Sequence, residues 1–126
     1  MPWEVEYTDE FAAWWDTLTA AQQVEQAVVA LSLEGPALGR PLVDTIKGSR
    51  LPHLKELRVS KGGALRVLFV FNPLRTAVLL LGGDKSGRWA EWYQTAIPEA
   101  EKLYGVHLDE LRKEGLWPDT GSSETS

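Results

Sequence analysis

Hydrophobic and polar positions change period several times along the chain, and each change marks an element. Residues 3–7 alternate in character and predict a short strand. Thr8 then suits a helix N-cap, with Asp9 and Glu10 placed to complement the positive end of the helix dipole. Phe11, Trp14, Trp15 and Leu18 give that helix one apolar face. Thr19 and Gln22 have capping-box spacing, and Val24, Ala27, Val28 and Leu31 form the stripe of a second helix that stops at Gly35-Pro36. A strand followed by a helical hairpin is expected.

From Pro36 to about Pro52 the chain is rich in Gly and Pro and reads as a loop. Three runs follow, residues 54–60, 64–71 and 76–81, which read as consecutive strands. Lys61-Gly62-Gly63 closes the first connection, and Asn72-Pro73 starts a turn at the second, with Pro presetting its own φ. An antiparallel meander is the expected result. Beyond Gly82-Gly83 and the run Asp84-Lys85-Ser86-Gly87-Arg88, a helical stretch begins with Trp89, Trp92 and Tyr93. It is interrupted or restarted at Pro98, and Ala100, Leu103, Tyr104, Leu108 and Leu111 continue its stripe. Residues 117–126 are polar and read as a disordered tail, leaving one α+β domain over residues 1–116.

Composition narrows the chemistry. There is no cysteine, so a disulfide frame, a thiolate zinc site and a cysteine nucleophile are ruled out, and a reducing cytoplasm fits. No apolar run approaches the ~18 residues of a spanning helix, and residues 1–9 show no signal-peptide pattern, so no membrane role is expected. The net charge of -5 hides a segregation. Residues 1–39 carry seven acids and no Lys or Arg, residues 40–88 ten bases against three acids, and residues 89–126 eight acids against three bases. A basic middle between acidic ends folds into a basic patch if its strands share a face, and phosphate binding needs such a patch.

Strand alternation sharpens that expectation. Leu57 and Val59 share one face of their strand, Glu56 and Arg58 the other. Matching the apolar faces of adjacent strands requires paired positions to sum to an even number. A three-residue turn gives 124, which pairs Leu57 with Val67 and Val59 with Leu65 and sets Arg58 opposite Arg66. A longer turn gives 122 and sets Glu56 against Arg66 as an ordinary ion pair. Like charges directly opposite cost ~0.2–1 kcal/mol, so the first register calls for an acid neighbour or a bound anion such as phosphate. With a four-residue Asn-Pro turn, Leu81 lies beside Arg66 and Lys85 comes within reach of both arginines. Trp89, Trp92 and Tyr93 then stand nearby, either as core or as stacking surfaces for bases. His53 is a candidate acid or base in a loop, where solvated histidines are common, and His107 is given no role. Neither histidine has metal-ligand spacing, and no GxxxxGK[ST] phosphate loop is present.

The element order, the Lys-Glu-Leu-Arg run, the Arg66 strand and the Gly-Gly-Asp-Lys-Ser-Gly exit resemble the RelE/HigB toxin family, in its phage Gp49-like branch, over residues 3–112. The resemblance implies a RelE/ParE-like α+β fold: an N-terminal strand and helical hairpin on an antiparallel sheet, with a C-terminal helix. It implies the toxin of a type II toxin–antitoxin system, a cytoplasmic endoribonuclease that cleaves ribosome-bound mRNA by 2′-hydroxyl attack, with no cofactor or metal. By position, Arg58 and Arg66 match the phosphate-binding strand arginines and Lys85 the basic residue after the last strand. Tyr93 or His53 is then a donor to the leaving oxygen, Lys55 a phosphate contact or base, and Lys61, Arg88 and Trp89 further RNA contacts. The implied partners are an antitoxin, commonly of helix-turn-helix type, the ribosome and mRNA, with DNA reached only through the antitoxin. Two other functions fit the same fold: ParE-like inhibition of DNA gyrase, and a catalytically silent antitoxin-binding module.

Overall fold

A computed structural model describes residues 2–18, 21–51, 53–59, 65–84 and 89–116, apart from the side chains of Gln22 and Trp89. The expected order of elements is present. Strand β1 (Glu4–Tyr7) leads into α1 (Asp9–Trp15) and α2 (Ala21–Glu34). The meander is β3 (Lys55–Val59), β4 (Leu65–Phe71) and β5 (Thr76–Asp84), and α3 (Trp89–Lys113) follows. A further strand, β2 (Val43–Thr45), lies inside the stretch expected to be loop. It is short and follows Gly39, Arg40 and Pro41, whose peptide bond is cis, and it is stabilised by antiparallel pairing to β3 rather than by its own pattern.

The sheet runs β1-β5-β4-β3-β2. All neighbours are antiparallel except β1, which crosses over to pair with β5 in parallel. The long connection that parallel neighbours need is the whole stretch between β1 and β5, which begins with the helical hairpin. Local polar groups fix its ends: Thr8 Oγ1 accepts from the Phe11 amide at 3.0 Å and donates to the Leu80 carbonyl at 2.6 Å. Ser32 Oγ donates to the Trp3 carbonyl at 2.8 Å, tying α2 to the start of β1. Thr19, the other expected cap, lies outside the described residues.

Alternation along the strands divides the core into two. Leu57, Val59, Val67, Phe69, Ala77 and Leu79 meet Phe11, Val24 and Leu31 of the hairpin. On the other face, Leu68, Val70, Val78 and Leu80 meet Ala96, Ala100 and Tyr104 of α3. Full burial of the strand side chains at positions such as Leu57, Val67, Leu68 and Leu80 is worth ~1.5–3 kcal/mol each, so both layers are needed to keep the sheet dry.

Two further details differ from the sequence expectation. The helix is continuous through Pro98 rather than restarted there: Pro98 lies on an exposed flank and costs one helical hydrogen bond, which the buried contacts of Ala96, Ala100 and Tyr104 on either side outweigh. Strand β5 also continues through Gly82 and Gly83, so Gly83 and not Leu81 lies opposite Arg66. The pairs next to the Asn72 turn sum to 148, as face matching requires, and an irregularity at Leu68/Phe69 moves the far end to 149. The extension is possible because Gly82 and Gly83 lack side chains. A Cβ at Gly82 would collide with the Trp14 ring and one at Gly83 with the Trp92 ring, so two indoles clamp the strand from opposite faces. Trp92 accordingly packs in the α3-side core.

Candidate phosphate-binding site

The first register is the one adopted: Arg58 pairs with Arg66, Leu57 with Val67 and Val59 with Leu65. Both arginines therefore lie on the α3 face of the sheet, near the end of β3 and β4 where their connecting turn begins. Their repulsion is relieved by Glu56, buried on the same face. Arg58 Nε donates to Glu56 Oε2 at 3.0 Å, and Arg58 Nη2 lies 3.0 Å from Asp44 Oδ2 of β2. Arg66 Nε lies 3.8 Å from Glu56 Oε1, reached along the diagonal of the ladder. The acid neighbour that the sequence placed only in the alternative register is thus present in this one.

From the helix side, the Tyr93 hydroxyl donates to Glu56 Oε1. Burial, reinforced by the hydrogen bond to Glu56 and its charge, pushes the Tyr93 phenol up to about 12. Tyr93 is therefore a retained proton and not a base at neutral pH. At Asp44, a hydrogen bond from the Thr45 amide, aided by Arg40 and Arg58, holds the carboxyl below its ordinary range. Arg40, at 3.2 Å from Asp44, completes a row of three arginines and two carboxylates.

The two arginines are not equivalent. Arg58 is 31% exposed and satisfied on both sides by acids, whereas Arg66 is 10% exposed. Arg66 Nη1 donates to the Leu65 carbonyl at 2.8 Å, while its Nε is buried and without a hydrogen-bond partner among the described residues. A buried N–H left unpaired costs ~1–3 kcal/mol, so an incoming acceptor gains by meeting it.

The remaining expected site residues separate. Lys55 sits on the opposite face, with Leu57, and its Nζ lies 3.3 Å from Thr45 Oγ1, so it does not join the arginines. His53 is exposed and precedes β3, five residues from Arg58, which at the rise of a strand is up to roughly 16 Å. Lys61, Lys85 and Arg88 lie outside the described residues, as does the side chain of Trp89, which opens α3. Lys85 follows Asp84 directly, two positions after the Gly83 that faces Arg66. Sequence reasoning missed Asp44 and Arg40 because β2 was read as loop. Glu56 was visible as sharing the Arg58 face but was given no part beside the paired arginines.

Residues 13–105 match the phage-derived Gp49-like protein family, and the chain belongs to it. Two Mycobacterium tuberculosis proteins named as candidate toxins are similar to it. HigB2 is 42% identical over 104 residues, 79% of this chain and 52% of its own length; HigB3 is 48% identical over 83 residues, 66% of this chain and 72% of its own. The chain thus spans about half of HigB2. Among solved structures, a mutant of the E. coli toxin RelE in the free state superposes with a TM-score of 0.56 at 13% identity, covering 73% of this chain and 93% of that one. The M. tuberculosis toxin–antitoxin complex RelBE2 gives 0.51 at 22% identity, covering 67% and 99%. The fold is therefore the RelE-like α+β fold, and the family is the HigB-like branch within it.

Proposed function

We propose that the protein is the toxin of a type II toxin–antitoxin system and acts as a ribosome-dependent mRNA endoribonuclease. The observation that carries this reading is the cross-strand pair Arg58–Arg66 on one face, with an unpaired Nε–H on Arg66 and the protonated Tyr93 hydroxyl one carboxylate away. The chemistry follows from those groups. A ribose 2′-hydroxyl, giving up its proton to solvent water, attacks the adjacent phosphorus and expels the 5′-oxygen of the next nucleotide, leaving a 2′,3′-cyclic phosphate; the departing oxygen takes up one proton. The arginine pair neutralises charge that accumulates on the phosphoryl oxygens, the role for which guanidinium forks are suited. Tyr93 supplies a proton to the departing oxygen, and Glu56, which holds both Arg58 and Tyr93, orients them. No step calls for a metal ion. Similarity to the named toxins and to the RelBE2 complex supports an antitoxin partner. No helix among the described residues is long and apolar enough to cross a membrane, in keeping with a cytoplasmic site of action.

One observation favours a second reading, a silent antitoxin-binding module: Arg58 already has two carboxylate partners, so a phosphate must compete with Glu56 and Asp44. Primer extension on mRNA in a reconstituted translation reaction separates the two. New 5′ ends inside ribosome-bound codons, lost in Arg58→Ala, support the nuclease. Intact mRNA together with tight antitoxin binding supports the module, and DNA damage on expression would indicate gyrase inhibition instead.

A further inference from the structure

Tyr93 also lines an open cavity of about 770 Å³ between the loop before β3 and the first half of α3. Leu51, Ile97 and Pro98 give it apolar wall, and Arg50, Gln94 and Lys102 give it polar rim. Its loop wall is fixed in place by α3: Glu101 Oε2 accepts from Ser49 Oγ at 2.8 Å and from the Arg50 amide at 2.6 Å, and Ser49 Oγ in turn accepts from the Leu51 amide at 3.0 Å. Pro98 brings no N–H to the Gln94 carbonyl, so the helix itself presents an acceptor beside the Gln94 amide side chain.

We infer that this cavity is a nucleobase subsite, holding a base of the RNA next to the phosphate at Arg58 and Arg66. The inference rests on the nuclease reading and adds to it what the protein grips besides phosphate. The geometry has three supports. Tyr93 lines the cavity and also reaches the arginine cluster through Glu56, so a single side chain joins the two. The cavity combines apolar wall with a few convergent polar groups, the make-up of sites for planar ligands. A tyrosine ring and an arginine guanidinium are both stacking surfaces for unpaired bases, and a glutamine amide offers a donor and an acceptor to a base edge. Adenine, with an amino group flanked by ring nitrogen acceptors, can pair with that amide through two edges.

The test compares AMP with ribose 5-phosphate, which carries sugar and phosphate but no base, by amide chemical shifts and affinity on the full chain. AMP is expected to move the Leu51, Gln94 and Ile97 amides and to bind at least about fivefold more tightly, the low end of a base-stacking contribution. Arg50→Ala and Gln94→Leu, both at exposed positions, are expected to bring AMP down toward ribose 5-phosphate while leaving ribose 5-phosphate binding unchanged. Equal affinities for the two ligands, with shifts confined to the neighbourhood of Arg58 and Arg66, would overturn the subsite and leave the phosphate reading standing. Binding of neither ligand would overturn both.

Discussion

The Tyr93 hydroxyl on α3 donates to the Glu56 carboxylate on β3, and that same carboxylate accepts from Arg58 and stands 3.8 Å from Arg66. A helix, two strands and a short edge strand bearing Asp44 are thereby joined by one polar network whose centre, Glu56 and Arg66, is buried. Its members depend on one another, because a buried charge that loses its partner is left in a medium that cannot solvate it.

Glu56→Ala is therefore expected to destabilise the fold by about 3 kcal/mol or more, since it removes the carboxylate that stands 3.8 Å from the buried Arg66. Urea denaturation checks this. A loss below 1 kcal/mol would mean that the arginines reach solvent when Glu56 is absent.

Tyr93→Phe tests the helix end of the network. Because the folded phenol is raised from about 10 to about 12, its contribution to stability is fully present below pH 10 and lost as pH rises through 12. Absorbance titration of tyrosinate is expected to lose its step near pH 12 in the variant. At neutral pH the substitution is expected to cost about 1–3 kcal/mol for a hydrogen bond to a charged acceptor, and cleavage about 100-fold or more if Tyr93 donates the proton.

Gly83→Ala forces a methyl group into the Trp92 indole and should destabilise by ~1–3 kcal/mol. Pairing it with Trp92→Leu, which opens space over Gly83, is expected to recover part of that loss relative to the sum of the single changes. Strict additivity in thermal unfolding would show that the indole is not what excludes a side chain there.

Asn72 accepts from the amides of Leu74 and Thr76 at 2.9 and 3.0 Å, taking the place of backbone acceptors in a turn that puts Arg75 at φ 60°. Asn72→Ala is expected to cost ~1–3 kcal/mol by leaving the buried Thr76 amide unpaired. Asn72→Asp, which keeps the acceptor, is expected to cost less; equal losses in chemical denaturation would contradict this role.

Much of this architecture was legible in the sequence. Alternation at Leu57, Val59, Leu65 and Val67 restricted the register of β3 and β4 to even sums, because any odd shift would have exposed the apolar face, and the length of the turn had to choose between 124 and 122. The caps at Thr8 and the stop at Gly35 followed from local chemistry. Strand β2 was not legible: three residues carry too little pattern, and its stability is tertiary, which also hid Asp44 and Arg40 from the site. Gly82 and Gly83 read as an exit from the sheet because nothing local shows that Trp14 and Trp92 will lie against them. Lys55 joins the arginines only in what the family resemblance implies; its odd position places it on the other face.

The most direct test of the nuclease reading uses ribosomes stalled on an mRNA with a single 2′-deoxynucleotide at the position the wild-type protein cleaves. The account predicts cleavage of the all-ribose message to a 2′,3′-cyclic end, none at the deoxy position, and a large loss with Arg58→Ala protein whose thermal unfolding confirms that it is folded. Unchanged cleavage at the deoxy position, or full activity of the folded Arg58→Ala protein, would contradict it.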